Sequence, residues 1–147
     1  LCAVEPDENL RKMAAEGIPD GLNIDIVDGR GEDIPLDDAS VDSVVITFTL
    51  CSVPSPDEIL KEAHRVLKPG GKLYVAEHGL APDESVAVWQ HRLTPVWKRL
   101  AGGCHLNRDL SNHLEGAGFH VDKKDSQYLE DLPKFAAYVT SICATKK

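Results

Sequence analysis

The chain has 147 residues, 42% of them hydrophobic and 27% charged, which suits one packed domain and is too apolar for a disordered segment. Twenty-four acids against sixteen bases leave a formal charge of −8, so no basic face is on offer for nucleic acid. The longest uncharged run, Ser43 to Pro56, is too short and too polar for a membrane span, and no basic-then-apolar segment opens the chain as a secretory signal would.

The elements follow in order. "LCAV" is a short apolar run ending in Glu5 and Pro6. "DENLRKMAAEG" places Leu10, Met13 and Ala14 at helical spacing, with Gly17 as the stop. "NIDIVDG" alternates apolar and polar like a strand near a sheet edge, and "GRGEDIPLDDAS" is a loop. "SVVITFTL", residues 43 to 50, is almost continuously apolar and β-branched, the pattern of a parallel strand covered on both faces.

"SPDEILKEAHRVLKPGG" is a helix. Ser55 and Glu58 form a capping box, Pro56 takes the first turn, and Ile59, Leu60, Ala63, Val66 and Leu67 make one stripe. Lys68 to Gly71 closes it, and "KLYVA" is the next strand. "SVAVWQHRLTPVWKRLAGG" reads as a helix interrupted at Pro95, and "NRDLSNHLEGAGF" as a short amphipathic helix. "HVDKKDSQYL" and "FAAYVTSICAT" read as an antiparallel hairpin at a sheet edge.

Strand–helix pairs in tandem imply an α/β fold, a Rossmann-like doubly wound sheet, mostly parallel with a C-terminal antiparallel hairpin. Ligands of such sheets sit outside the carboxyl ends of the strands. Glu5, the "GRGE" loop, Thr47 to Ser52 and Glu77 to Gly79 fall there. The four cysteines, Cys2, Cys51, Cys104 and Cys143, form no C-x-x-C pair and read as buried free thiols in a reducing cytoplasm, not as a metal site. A cytoplasmic location follows as the expectation.

The order of elements resembles the class I S-adenosylmethionine-dependent methyltransferases. "GRGEDIPLDDASVDSVV", "RVLKPGGKLYVAEH" and the final hairpin carry the resemblance. "LKPGG" points to the branch holding ubiquinone-type and small-molecule enzymes. "LCSV", "AEHG", "WQ…L.P.WK" and "GGCHLNR" resemble the methyltransferase-like proteins associated with thiol S-methylation. The resemblance covers essentially the whole chain, residues 1–147, as one domain. It lacks the family's first strand and glycine-rich loop, so an N-terminally truncated fragment is expected. A lost central strand exposes backbone groups at roughly 1–3 kcal/mol each, against a total stability of about 5–15 kcal/mol. Folding alone is then in question, and self-association through the exposed sheet is expected.

The resemblance implies S-adenosylmethionine as cofactor and a small-molecule methyl acceptor, with a thiol as the favoured class. It gives Glu5 to both ribose hydroxyls, since a carboxylate accepts two hydrogen bonds. It gives Arg30, Gly31 and Glu32 to the adenine; the family's usual acid is replaced by Arg30, which leaves recognition to backbone groups of Gly31 and Glu32. Thr47 falls near the cofactor, although threonine is also a good strand former. Cys51 stands at the crevice edge as a substrate contact or a structural cysteine. His78 is the candidate catalytic base and substrate contact, because a thiol must lose a proton to act as nucleophile. Trp89, eight residues before Trp97 and roughly on the same helical face, either walls a substrate pocket or packs in the core. Two rival readings remain at this stage. One is a nicotinamide-dependent oxidoreductase, which also uses an acid after its first strand. The other is a truncated or split chain that survives only with a partner.

Overall fold

The structure is a computed structural model and describes residues 1–147. It contains β1 (Cys2–Val4), α1 (Glu8–Glu16), β2 (Asp25–Val27), β3 (Val41–Thr47), α2 (Pro56–Val66) and β4 (Leu67–His78). The last third holds α3 (Glu84–Leu100), α4 (Ser111–Gly116), β5 (Phe119–Tyr128), α5 (Lys134–Ala137) and β6 (Tyr138–Lys146).

The strands form two sheets. β1 and β2 pair in parallel, with Cys2 opposite Asp25 and Val4 opposite Val27. The other four strands lie in the order β3–β4–β6–β5. β3 runs parallel to β4, while β6 is antiparallel to both of its neighbours. This is the α/β architecture with the closing hairpin that the sequence predicts. No ladder joins β1 to β3, so each keeps one edge without a strand.

α1 starts where Asp7 accepts bonds from the N–H groups of Asn9 and Leu10. α2 starts at buried Pro56 behind an extended Ser55. Ser55 makes no capping bond through its side chain, so the predicted capping box is not formed. α2 also ends sooner than "LKPGG" suggests. Proline disfavours helical backbone at the residue before it. Leu67 and Lys68 are already extended, and Pro69 to Gly71 belong to β4. The extra residues are absorbed as a bulge: Val41 faces Leu67, but Ser43 faces Lys72.

α3 runs unbroken through Pro95. The proline removes one helical N–H, a cost that the surrounding turns carry. The second strand of the hairpin begins at Tyr138, because "KFAA" turns as α5 instead of extending.

The main core lies on one face of the larger sheet. Ile59, Leu60 and Ala63 of α2 meet Ile46, Leu73 and Val75 of the strands. The opposite face is open: Val45 is 68% exposed and Tyr74 45%. They border a groove of about 270 Å³ that also holds Thr47, Ala76, Ser141 and Cys143. β3 is therefore covered on one face only, where its sequence predicts cover on both; none of the five helices packs on that side. No helix is long and apolar enough to cross a membrane.

Candidate functional site

The carboxyl ends of β3 and β4 are joined by one buried acid. Glu77, fully buried, accepts backbone N–H bonds from Thr49 at 2.7 Å, Leu50 at 2.8 Å and Cys51 at 3.1 Å. Its carboxylate thus takes the place of a further strand pair and shapes the turn after β3. The turn begins at Phe48, whose N–H still bonds Ala76 but whose φ is +49°. A bulky side chain rarely adopts that conformation, and the cost is of order 1–3 kcal/mol. Such strain collects at functional sites.

His78, the next residue of β4, packs its ring 5.2 Å from that of Phe48. Its Nδ1 is buried and has no hydrogen-bond partner. Burial pushes the imidazole below its ordinary pKa, while the Tyr138 backbone and the Glu77 charge pull the other way. His78 is thus held towards its neutral form.

Glu5 sits at the carboxyl end of β1, half-buried. Its Oε1 accepts from the N–H of Asp7 at 2.9 Å, and its backbone is held by Val27 and by the Arg11 guanidinium. Oε2 has no partner within the chain. The loop after β2 is fixed from α2. Arg65 donates to the carbonyls of Ile34 and Leu36, and Glu62 accepts from the Ile34 N–H. Arg65 in turn holds the Glu62 carboxyl below its usual range. In this loop Arg30 and Glu32 approach to 3.8 Å, and Gly31 lies so close to Ile59 that an added Cβ would meet it at 3.0 Å. Thr47 is exposed in the open groove of the sheet, at the end of β3.

Cys51 is 1% exposed, and its thiol lies 3.6 Å from that of Cys104 in a small second core. It faces this core and not the crevice. Trp89 and Trp97 do not share one environment either. Trp97 packs edge-on against Phe135 at 5.8 Å, whereas Trp89 is 55% exposed. Trp89 lines an open pocket of about 480 Å³ with Val86, Leu93, Lys134 and Phe135.

Three residues to which the sequence assigns no role of their own build this region. Glu77 is one. Arg108 donates to the carbonyls of Leu50 and Val53, fixing the far side of the same turn. Gln90 is 1% exposed, accepts from the Ala81 N–H and donates to the carbonyls of Gly79 and Phe135, tying α3 and α5 to the end of β4. Only "AEHG" hinted at such a role, by ending an apolar strand on a charge.

A family model described as a methyltransferase domain matches residues 1–75. The chain is 40% identical over 124 residues to the thiol S-methyltransferase TMT1B of Rattus norvegicus, covering 81% of this chain and 51% of that protein. It is 44% identical over 55 residues to the ubiquinone/menaquinone biosynthesis C-methyltransferase UbiE of Brucella anthropi, covering 37% of this chain and 21% of that protein. The chain thus spans about half the length of its TMT1B relative. Among solved structures, a SAM-dependent methyltransferase of Methanosarcina mazei shares the fold at a TM-score of 0.79 and 22% identity, covering 99% of this chain and 81% of that one. The match sets aside the oxidoreductase alternative that Glu5 alone leaves open. With 75 of its 147 residues matched by the family model, the chain belongs to the methyltransferase domain family.

Proposed function

We propose that the chain forms the adenosine-side and acceptor-side part of an S-adenosylmethionine-dependent methyltransferase acting on a small thiol. The observation that carries the reading is His78: a histidine at the carboxyl end of β4, held towards neutrality by burial and packed against Phe48 of the turn after β3. The thiol class rests on the TMT1B relative.

The residues present fit the adenosine half of the cofactor. Oε2 of Glu5 is free to accept from a ribose hydroxyl, and the loop that Arg65 and Glu62 hold offers backbone groups at Gly31 and Glu32. Thr47 contributes a hydroxyl at the end of β3. Bound S-adenosylmethionine supplies a methyl group on a positively charged sulfur, ready for in-line displacement. The protein's task is then to position and to exclude water. The neutral imidazole of His78 takes the thiol proton, so that the acceptor attacks as thiolate. Phe48 lies against His78 and dries that side, while Trp89 and Phe135 wall an apolar pocket for the acceptor's carbon skeleton.

The cradle is completed by a strand and a glycine-rich loop outside these 147 residues. In support, the two sheets share no ladder, β1 and β3 each have an open edge, and the face carrying Val45 and Tyr74 is bare. The isolated 147-residue chain is then defective in cofactor binding, and its open edges favour self-association. Calorimetry and light scattering test this; tight stoichiometric binding by a monomer of this chain overturns it.

The function is tested on the full-length enzyme with labelled cofactor and a panel of thiols, amines, phenols and RNA. Transfer to small thiols is expected. Activity confined to amines or RNA overturns the acceptor class.

A further inference from the structure

Two thiols that this chemistry leaves unused lie against each other. Cys51 Sγ and Cys104 Sγ are 3.6 Å apart, with Cys51 at 1% exposure and Cys104 at 6%. A disulfide needs about 2.05 Å between sulfurs, so a further approach of about 1.5 Å closes the bond.

The backbone is built to hold them together. Gly103 has φ +90°, and a Cβ there would stand 2.6 Å from the carbonyl oxygen of Ser52. Only glycine lets the segment after α3 come this close to the turn after β3. His105 N–H then bonds the Cys51 carbonyl at 2.7 Å, and Arg108 ties the same turn at Leu50 and Val53. The indole N–H of Trp97, buried without a hydrogen-bond partner, lies near the Cys104 thiol and lowers its pKa.

We infer that Cys51 and Cys104 form a reversible disulfide, a redox site that ties the segment after α3 to the turn gripped by Glu77. The inference does not rest on the identity of the methyl acceptor. The oxidant is a low-molecular-weight disulfide, RSSR. Cys104 thiolate attacks one sulfur, the S–S bond breaks, and RS⁻ leaves and takes up a proton. Cys51 then attacks the Cys104 sulfur of the mixed disulfide; its thiol proton goes to the second departing RS⁻. Two protein thiols are oxidised to one disulfide, and RSSR is reduced to two RSH. The roles follow from the surroundings. Cys104 is the more exposed of the two, and its pKa is lowered by the neighbouring Cys51, the Trp97 indole and the Arg108 charge. Cys51 is pushed up by its neighbour Cys104 and by burial. Neither sulfur is open in the closed structure, so the reagent enters when the segment 101–108, which contains Gly102 and Gly103, lifts from the turn.

The test exposes the full-length enzyme to oxidised glutathione, unfolds and alkylates it, and maps linked peptides by mass spectrometry without reductant. Expected are a Cys51–Cys104 cross-link that dithiothreitol removes and a Tm raised by several degrees in the oxidised protein. Both are lost in Cys51→Ser and Cys104→Ser. If either variant fails to fold, the wild-type linkage map decides alone. Full alkylation of Cys51 and Cys104 after prolonged oxidation, with glutathione only on exposed Cys2, overturns the inference, as does a link from either one to Cys143.

Discussion

The carboxylate of Glu77 in β4 takes the N–H of Leu50 at 2.8 Å, holding the turn that leaves the neighbouring strand. Two further N–H groups, of Thr49 and Cys51, depend on the same side chain. Glu77→Ala strands three donors beside a buried space and is expected to cost about 3–5 kcal/mol in urea unfolding. Glu77→Gln keeps one acceptor oxygen and is expected to cost about 1–2 kcal/mol. Equal and small losses in both variants would mean that water reaches the turn.

Glu5 touches the cofactor in the proposed site and nothing in the core. Glu5→Ala in the full-length enzyme should weaken S-adenosylmethionine binding at least tenfold, about 1.4 kcal/mol, with unfolding free energy little changed. Unaltered affinity by calorimetry removes Glu5 from the site.

His78, His64 and His105 are all held below the ordinary histidine value of 6.5, each chiefly by burial. A lowered folded pKa means that the unfolded chain binds more protons in this range, so stability rises with pH there. It is complete above about 6.5 and falls as pH drops through the folded values. Urea titrations at pH 7 and pH 5 should show the loss, and His78→Ala should lessen its slope. In the proposed mechanism the same histidine sets the acid limb of the rate, which in the wild type lies below the ordinary histidine value of 6.5. In His78→Ala that limb disappears and turnover drops more than cofactor affinity does. An identical limb in both proteins excludes His78 as the base.

Gly102 and Gly103 are adjacent, both with positive φ, yet they differ in surroundings. An alanine Cβ at 102 meets nothing within 4 Å, whereas at 103 it meets the Ser52 oxygen at 2.6 Å. Gly102→Ala is expected to cost about 1 kcal/mol from backbone strain alone. Gly103→Ala adds a collision between main chains and should cost roughly twice that or more, with the Cys51–Cys104 contact opened. Thermal unfolding ranks the two; the reverse order contradicts the close approach.

Much of this was legible in the sequence because it depended on local pattern. The β-branched run at 43–47, the stripe of α2 and the closing hairpin each carry their own periodicity. Two features escaped for opposite reasons. The early end of α2 is a local effect of Pro69 on Lys68, masked by Leu67 continuing the apolar stripe. The bare face of β3 is non-local: Val45 is apolar whether or not a helix covers it. At the site, Glu5 and His78 stand at strand ends where topology alone places ligands. Glu77, Arg108 and Gln90 act on backbone groups 9 to 58 residues away, a pairing that no spacing encodes. Trp89 and Trp97 were drawn together by a helical repeat, but Trp89 is largely exposed whereas Trp97 packs edge-on against Phe135.

α1 buries none of its residues, and β1 and β2 share three residue pairs in a sheet of their own. A two-stranded sheet has little stability in isolation. Amide protons in residues 2–27 should therefore exchange with solvent long before those of β4 and β6, and a protease should cut first in this stretch. Glu5, the proposed ribose contact, sits on this weakly held piece, while His78, the proposed base, sits in a central strand of the larger sheet. In the isolated chain the proposed nucleoside contact can melt while the proposed base stays in register: the two halves of the proposed reaction centre are hung on units of unequal lifetime.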